Sequence, residues 1–371
     1  MPIICRCLYN NLIQSIMFKK IADSPTSRLL VEQTPLIDVR SPIEFAKGAF
    51  PKSVNLPILF DEERAIVGKT YKYLGNDEAM RLGHNLVSGD IKAKRIKDWI
   101  KFINKNPSAQ IYCARGGQRS KIAKDWIKEQ GKKVQIVKGG YKELRNTCIQ
   151  ILDQLKNDGK EWIIIAGKTG NNKTQLIQSL DNGIDLEMIA NHRGSAFGGK
   201  NIPQPTTINF ENNLACSYLL INNHWIALED ESRRIGKLVI PQEFYNKMQR
   251  SSIVIIIGKL ENRIKNIYEN YIKKESLITS PEALCNKLRA QLKRIYRSIG
   301  QENYKSIDNL IKYAFSENEE EKHLQWIEIL LTKYYDKMYD YQLSKKQNRC
   351  LMRGDYQEVK GYLTEYKPHS L

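Results

Sequence analysis

The sequence predicts an α/β protein: two successive parallel-sheet domains followed by a mainly helical C-terminal region. Short apolar runs such as TPLIDVR (34–40), QIYC (110–113) and VQIV (134–137) end in charge or a turn and alternate with helical segments, the pattern of buried parallel strands. EWIIIAG (161–167), HWIAL (224–228) and SIVIIIG (252–258) repeat that pattern further along. After about residue 263 long strand-like runs stop, and lysines, tyrosines and leucines at helical spacing take over. A chain of 371 residues suits two domains and an extension, at roughly 100–200 residues per domain.

The polar stretch LKNDGKE marks the main boundary of the chain, which is expected to comprise an N-terminal extension (1–17), a first domain (18–157), a second domain (158–262) and the helical region (263–371). In the extension, Arg6, Asn10, Asn11 and Gln14 interrupt the apolar run, which argues against a secretion signal. Met17 is a candidate natural start, with the preceding residues an upstream read-through. In the first domain, Ile122, Ala123, Trp126 and Ile127 recur at helical spacing before Gly131, so Cys113 falls in a strand-to-helix loop. In the second, a helix through Gln175–Leu180 follows a Gly-containing loop. Ser280 and Pro281 supply an N-cap and first helical residue. Leu284, Leu288, Leu292, Ile295 and Ile299 then share one face, beside a basic stripe of Arg289, Lys293 and Arg297.

A formal charge of +18 draws polyanions and makes nucleic acid the first candidate partner; a lysine-rich composition spread over solvated faces is the bland alternative. No run reaches the ~18 apolar residues of a membrane span. The seven cysteines, Cys5, Cys7, Cys113, Cys148, Cys216, Cys285 and Cys350, are odd in number and scattered. A soluble protein of the reducing cytoplasm is expected.

Two loops carry the chemistry. CARGGQRS (113–120) follows a strand and precedes a helix. A thiolate at Cys113 is favoured there by the helix N-terminus and by the guanidinium groups of Arg115 and Arg119, while Gly116 and Gly117 let backbone N–H groups turn inward as an anion cradle. The same spacing suits a cysteine-dependent phosphatase, whose arginine clamps a phosphoryl group. The second loop, GKTGNNKT (167–174), lies where a phosphate-binding loop must lie. Gly167 and Gly170 shape it, Lys173 reaches phosphate, and Thr174 is placed to hold magnesium with Asp230 or Glu229 as acidic partner. Asn172 stands where such loops carry glycine; asparagine accepts positive φ more readily than most residues.

LIDVRSPIEFAKGAFPKSVNLP (36–57) resembles the opening signature of rhodanese domains, and that resemblance spans most of 34–150. DEERAIVGKTYKYLG (61–75), CARGGQRS, KGGYKELR (138–145), IDLEMIANHRGSAFG (184–198), LEDESRRIG (228–236) and, more weakly, YYDKMYDYQLSKK (334–346) resemble blocks of the tRNA 2-selenouridine synthase family. The resemblance implies a rhodanese-like parallel-sheet domain followed by a P-loop NTPase-like domain. It implies replacement of sulfur by selenium in wobble-position 2-thiouridine of tRNA. Selenophosphate is the implied donor, and an S-geranyl intermediate is made from geranyl diphosphate. On that reading Cys113 accepts selenium as a perselenide, held by loop amides with Arg115 and Arg119. No cofactor is tightly bound, magnesium is admissible, and an enzyme supplying selenophosphate is a candidate partner. His192, Arg193 and Arg233 are candidate phosphate or tRNA contacts, as are Tyr268, Tyr271 and Tyr296 among basic residues; solvated or packed side chains are the plain alternative. Asp38 and Arg40 read as an ion pair closing a strand end. Two rivals stay open, a cysteine-dependent phosphatase and a non-catalytic tRNA-binding protein.

Overall fold

The computed structural model describes residues 16–368. Residues 1–15, and with them most of the expected extension, Cys5 and Cys7, lie outside the described residues. The chain divides into two units: the part through Asp158 together with Pro205–Leu220, and Gly159–Gln204 together with the part from Ile221 onward.

In the first unit, β1 (Leu36–Asp38), β2 (Ser53–Asn55), β3 (Gln110–Tyr112) and β4 (Gln135–Ile136) form a parallel sheet ordered β2-β1-β3-β4. Ile37 lies opposite Ile111, and both pack with Trp99 of helix Gly89–Lys105 and with Trp126 and Ile127 of helix Gln118–Glu129. All of β1 is buried, which explains why it reads as an apolar run without alternation. From β1 the sheet grows towards β2 on one side and β3 on the other, and the carboxyl ends of strands at such a divergence border the crevice where open α/β sheets place ligands. Arg40 and Cys113 follow those two strand ends. The Arg40 Nη2 and Asp38 Oδ2 atoms are 2.6 Å apart in a buried pair, Arg40 also donates to the Gly48 carbonyl at 2.7 Å, and its guanidinium lies 3.8 Å from the Tyr141 ring centre. The pair closes the strand end.

Helix Thr207–Leu220 packs with this unit although the sequence reading placed its residues inside the second domain. Asn209 and Asn212 take both backbone groups of Ala49, at 2.7 and 2.8 Å, and Arg145 pairs with Glu211. A Cβ at Gly48 would come within 2.5 Å of Ile208, so a larger residue there would push this helix away.

In the second unit, β5 (Glu161–Ala166), β6 (Gly183–Ile184), β7 (Trp225–Glu229), β10 (Ser252–Ile256) and β11 (Cys350–Gly354) form a parallel sheet ordered β11-β10-β5-β7-β6. A small antiparallel ribbon, β8 (Arg234–Ile235) with β9 (Leu238–Val239), stands apart. Ile163, Ile165, Ala227 and Val254 pack with Leu176 and Val359. β11 falls in the region read as helical. Its residues alternate half-buried and exposed, with Arg353 among the exposed ones, so this edge strand shows no apolar run.

The helical region forms as expected at its start. The Ser280 hydroxyl accepts the Ala283 N–H at 3.3 Å and Pro281 opens the helix. Leu284, Leu288 and Leu292 are buried with Ile307, Trp326 and Ile327 in one core. The helix stops at Arg294, earlier than the apolar stripe implies, and Ile295 and Ile299 reach the same core from the next turn. Tyr268 is buried in that core and Tyr271 packs against it, leaving Tyr296 exposed; two of the three tyrosines offered as RNA contacts are therefore packing residues. Arg289 pairs with Asp308 at 2.7 Å, while Lys293 and Arg297 are exposed. Among the described residues no helix is long and apolar enough to cross a membrane.

Candidate active site

Cys113 follows β3 and lies buried beneath a turn whose glycines let the chain reverse into helix Gln118–Glu129. Its Sγ is 3.3 Å from the Ser120 hydroxyl. Burial pushes the thiol up, but the Ser120 hydroxyl and amide, the Arg115 amide and the Arg119 charge outweigh it, and the net pKa is lowered. The thiolate is therefore favoured relative to an ordinary cysteine. Arg119 gives two hydrogen bonds to Glu44, at 2.6 and 3.2 Å. A guanidinium held this way acts on the thiol as a fixed charge; the two-pronged clamp a phosphatase needs is already taken. Arg115 is exposed.

The glycine pair of KGGYKELR closes the loop from behind. The N–H groups of Tyr141 and Lys142 donate to the Cys113 and Ala114 carbonyls at 2.9 and 3.0 Å. Gly140 has φ +59°, and a Cβ there would lie 2.3 Å from the Cys113 carbonyl oxygen and 2.4 Å from the Gly116 nitrogen. Neither Glu44 nor Gly140 carries a signal that assigns it to the cysteine: one reads as the third residue of a short helix after Ser41 and the other as turn punctuation.

The second loop begins at the end of β5 with Gly167 and Gly170, both at positive φ (146° and 92°), and Asn172 adopts φ 55°, ψ 33°. The asparagine thus supplies the left-handed turn that glycine would otherwise make. Lys173 Nζ donates to the Gly167 carbonyl at 2.7 Å and lies over the Tyr339 ring. Tyr339, on helix Asp336–Ser344, accepts the Gly167 N–H at 3.0 Å. Arg263 donates to the Thr169 carbonyl and holds Asp336 with both arms, and Asn266 donates to the Gly170 carbonyl. The loop is braced by side chains from helices Leu260–Tyr268 and Asp336–Ser344.

The acidic run after β7 splits. Asp230 turns to Lys346 at 2.5 Å and to the Tyr339 hydroxyl at 3.5 Å. Glu229 and Glu231 turn instead towards Glu187 of the turn Leu186–Ile189, and the Thr174 hydroxyl donates to Glu187 at 3.3 Å. Of the two acids offered as magnesium partners of Thr174, Glu229 therefore lies with an oxygen cluster and Asp230 is engaged elsewhere; in sequence Glu231 reads only as the end of an acidic run and Glu187 as an ordinary acidic residue. Burial pushes Glu187 up to about 7, against the pull of Lys173, and lifts Glu231 to about 8 and Glu229 well above the carboxylate range.

Arg193 pairs with Glu275 at 2.8 Å and lies over the Tyr271 ring. Burial and the nearby Arg294 and Lys200 charges lower the pKa of His192. Arg233 is exposed. An apolar cavity starts at Thr169 of the loop and runs between Phe197, Ile267, Trp326 and Leu330. Two single π-helical turns, Glu269–Lys273 and Leu331–Tyr335, give Tyr271, Leu331 and Tyr335 to its wall; such turns recur at functional sites.

A thiol favoured as thiolate at the carboxyl end of an inner strand of one parallel sheet, and a lysine-bearing strand-to-helix loop after an inner strand of the other, define a two-module α/β enzyme of the rhodanese plus P-loop kind. A model of the rhodanese-like domain matches residues 26–147, and a model of the tRNA 2-selenouridine synthase AAA domain matches residues 160–369. The tRNA 2-selenouridine synthase of Shewanella denitrificans is 42% identical over 362 residues, 94% of this chain and 98% of that protein. Those of a Sulfurovum species and of Shewanella frigidimarina are 41% and 40% identical, over 91% and 95% of this chain and 97% and 100% of theirs. The chain belongs to the tRNA 2-selenouridine synthase family.

Proposed function

We propose that this enzyme replaces sulfur by selenium in 2-thiouridine at the wobble position of tRNA in the cytoplasm. Selenophosphate is the donor, and the S-geranyl nucleoside formed from geranyl diphosphate is the intermediate. The observation that carries the selenium step is Cys113, whose pKa is lowered by the Ser120 hydroxyl and by loop amides despite burial; the thiolate is the nucleophilic form, and this setting favours it. The family relationship supports the nucleoside, and the charge of +18 supports a polyanionic partner. Tyr296, Lys293 and Arg297 are exposed and available to RNA.

For the geranyl step, Lys173 leaves the Gly167 carbonyl to counter the diphosphate, and Tyr339 yields the Gly167 amide to it. The apolar cavity at Thr169 holds about 20 Å³, room for little more than a water, so a hydrocarbon chain attached to that diphosphate would have to part Phe197, Ile267 and Trp326 to enter. The wobble base of an anticodon loop is unstacked at little cost, so it can reach a protein site.

The test is mass spectrometry of nucleosides from 2-thiouridine tRNA incubated with the protein, selenophosphate and geranyl diphosphate, with Cys113→Ala in parallel. Wild type yields 2-selenouridine; the variant yields the geranylated nucleoside and stops there. A variant that still makes 2-selenouridine removes Cys113 from the selenium step.

A further inference from the structure

Taking tRNA as the substrate, we propose that the face of helix Asp61–Leu74 that carries Arg64, Tyr71 and Lys72 is the surface of the first unit that holds the RNA. Tyr71 stacks on an unpaired base, and a neighbouring nucleotide of the same loop then reaches Cys113.

A surface helix of a globular protein normally buries an apolar stripe. This helix has 14 residues and none of them is buried. Tyr71 is 61% exposed, and Tyr73 and Leu74 at the same end are exposed as well. A ring left in water forgoes the stabilisation of burial, and aromatic rings are the surfaces on which unpaired RNA bases stack.

Charge selects the same partner. The acids of the helix lie in its first turn, and two of them are engaged. Asp61 accepts the Ile43 N–H at 3.0 Å, while Glu63 accepts the Phe60 N–H at 2.7 Å and holds Arg95 at 2.8 Å. From Arg64 to Leu74 the only charged residues are Arg64, Lys69 and Lys72, so the exposed length is basic throughout and suits a phosphate backbone. The buried centre of a protein–protein interface is by contrast depleted of charge.

Geometry ties this face to the thiol. Helical spacing puts Arg64, Gly68, Tyr71 and Lys72 along one stripe. Arg64 Nε lies 3.8 Å from a Glu44 oxygen, and that oxygen accepts from Arg119 of the thiol loop at 2.6 Å. The stripe therefore begins beside the cysteine loop. At Gly68 the helix is bare and the Arg64 side chain lies across it, since a Cβ there would come within 2.7 Å of the guanidinium. At 1.5 Å rise per residue, Tyr71 stands about 10 Å further along the helix than Arg64. A base stacked on Tyr71 and a base at Cys113 are then different nucleotides of one loop.

The test is binding of 2-thiouridine tRNA to the full chain by fluorescence anisotropy at several salt concentrations. The rate of Cys113 alkylation in each free protein reports whether the thiol site is intact. Tyr71→Ala should weaken binding by roughly tenfold or more, the loss of one base stack, and Tyr71→Phe should retain it. Lys72→Gln should weaken binding and lower the slope of log affinity against log salt by about 0.7–1, one phosphate contact. Ile66→Ala, exposed on the opposite face, should bind as wild type, and all four variants should alkylate at the wild-type rate. Unchanged affinity in Tyr71→Ala with an unchanged slope in Lys72→Gln overturns this surface and leaves tRNA as the substrate. A loss in Tyr71→Phe equal to that in Tyr71→Ala overturns stacking as the contact. Absence of tRNA binding by the wild type overturns the tRNA reading itself, and this surface with it.

Discussion

The thiol loop and the phosphate-type loop are both strand-to-helix turns after inner strands of parallel sheets, yet they are completed in opposite ways. Cys113 takes its nearest stabilising group from Ser120, seven residues on. The phosphate-type loop is braced from Arg263, 94 residues beyond its Thr169 partner, and from Tyr339, 172 residues beyond Gly167. A site closed by chain neighbours is written as a contiguous motif. A site braced from afar is written as isolated arginines, tyrosines and acids that look like surface composition. This is why CARGGQRS speaks directly of a nucleophile, whereas GKTGNNKT speaks of phosphate and says nothing of its glutamates.

The largest test of that contrast strikes the thiol loop at the glycine that closes it from behind. Gly140→Ala puts a Cβ into the Cys113 carbonyl at positive φ and should cost about 3 kcal/mol or more of stability, read as the shift of the urea unfolding midpoint. A fall under 1 kcal/mol would mean that the loop does not need the glycine pair. Next, Lys173→Ala should lower formation of the geranylated nucleoside by roughly 10²–10³-fold, as for loss of a group that counters developing negative charge, while the rate of Cys113 alkylation stays at the wild-type value. A slower alkylation would show the two sites to be less separate than their construction indicates.

Acid should probe the helical core behind the second loop. His323 is buried, accepts the Trp326 indole N–H at 3.1 Å, and has its pKa lowered by burial from 6.5 to about 4. Its native form is neutral, so the stability it protects is fully present above pH 6.5. That stability is lost as pH falls through the interval down to about 4, by up to about 3 kcal/mol. Thermal melts of His323→Gln should show a flatter decline over that interval than wild type; an identical decline would assign the acid sensitivity to other groups. The smallest effect belongs to the local partner of the thiol. Ser120→Ala removes one hydrogen bond to the thiolate, worth about 0.5–1.5 kcal/mol, so the midpoint of the pH–alkylation curve of Cys113 should rise and the rate at pH 7 should fall by up to about tenfold. An unmoved midpoint would transfer the stabilisation to the Arg115 and Ser120 amides.

The sequence by itself determined the α/β class, the inner strands of both sheets, the thiol loop and the phosphate-type loop, because each rests on hydrophobic runs or on backbone turns made by consecutive residues. It also determined the left-handed turn at Asn172, since asparagine is among the few side chains that tolerate it. Only the tertiary structure decided that Arg119 is spent on Glu44 and that Asp230 faces Lys346 while Glu229 faces Glu187 and Glu231. Helix Thr207–Leu220 joined the first unit, and the arginine-bearing β11 the edge of the second sheet, for the same reason. In sequence an acid bound for a buried cluster and an acid bound for solvent are the same letter, and what separates them is which strands and helices bring their backbones within a few ångströms.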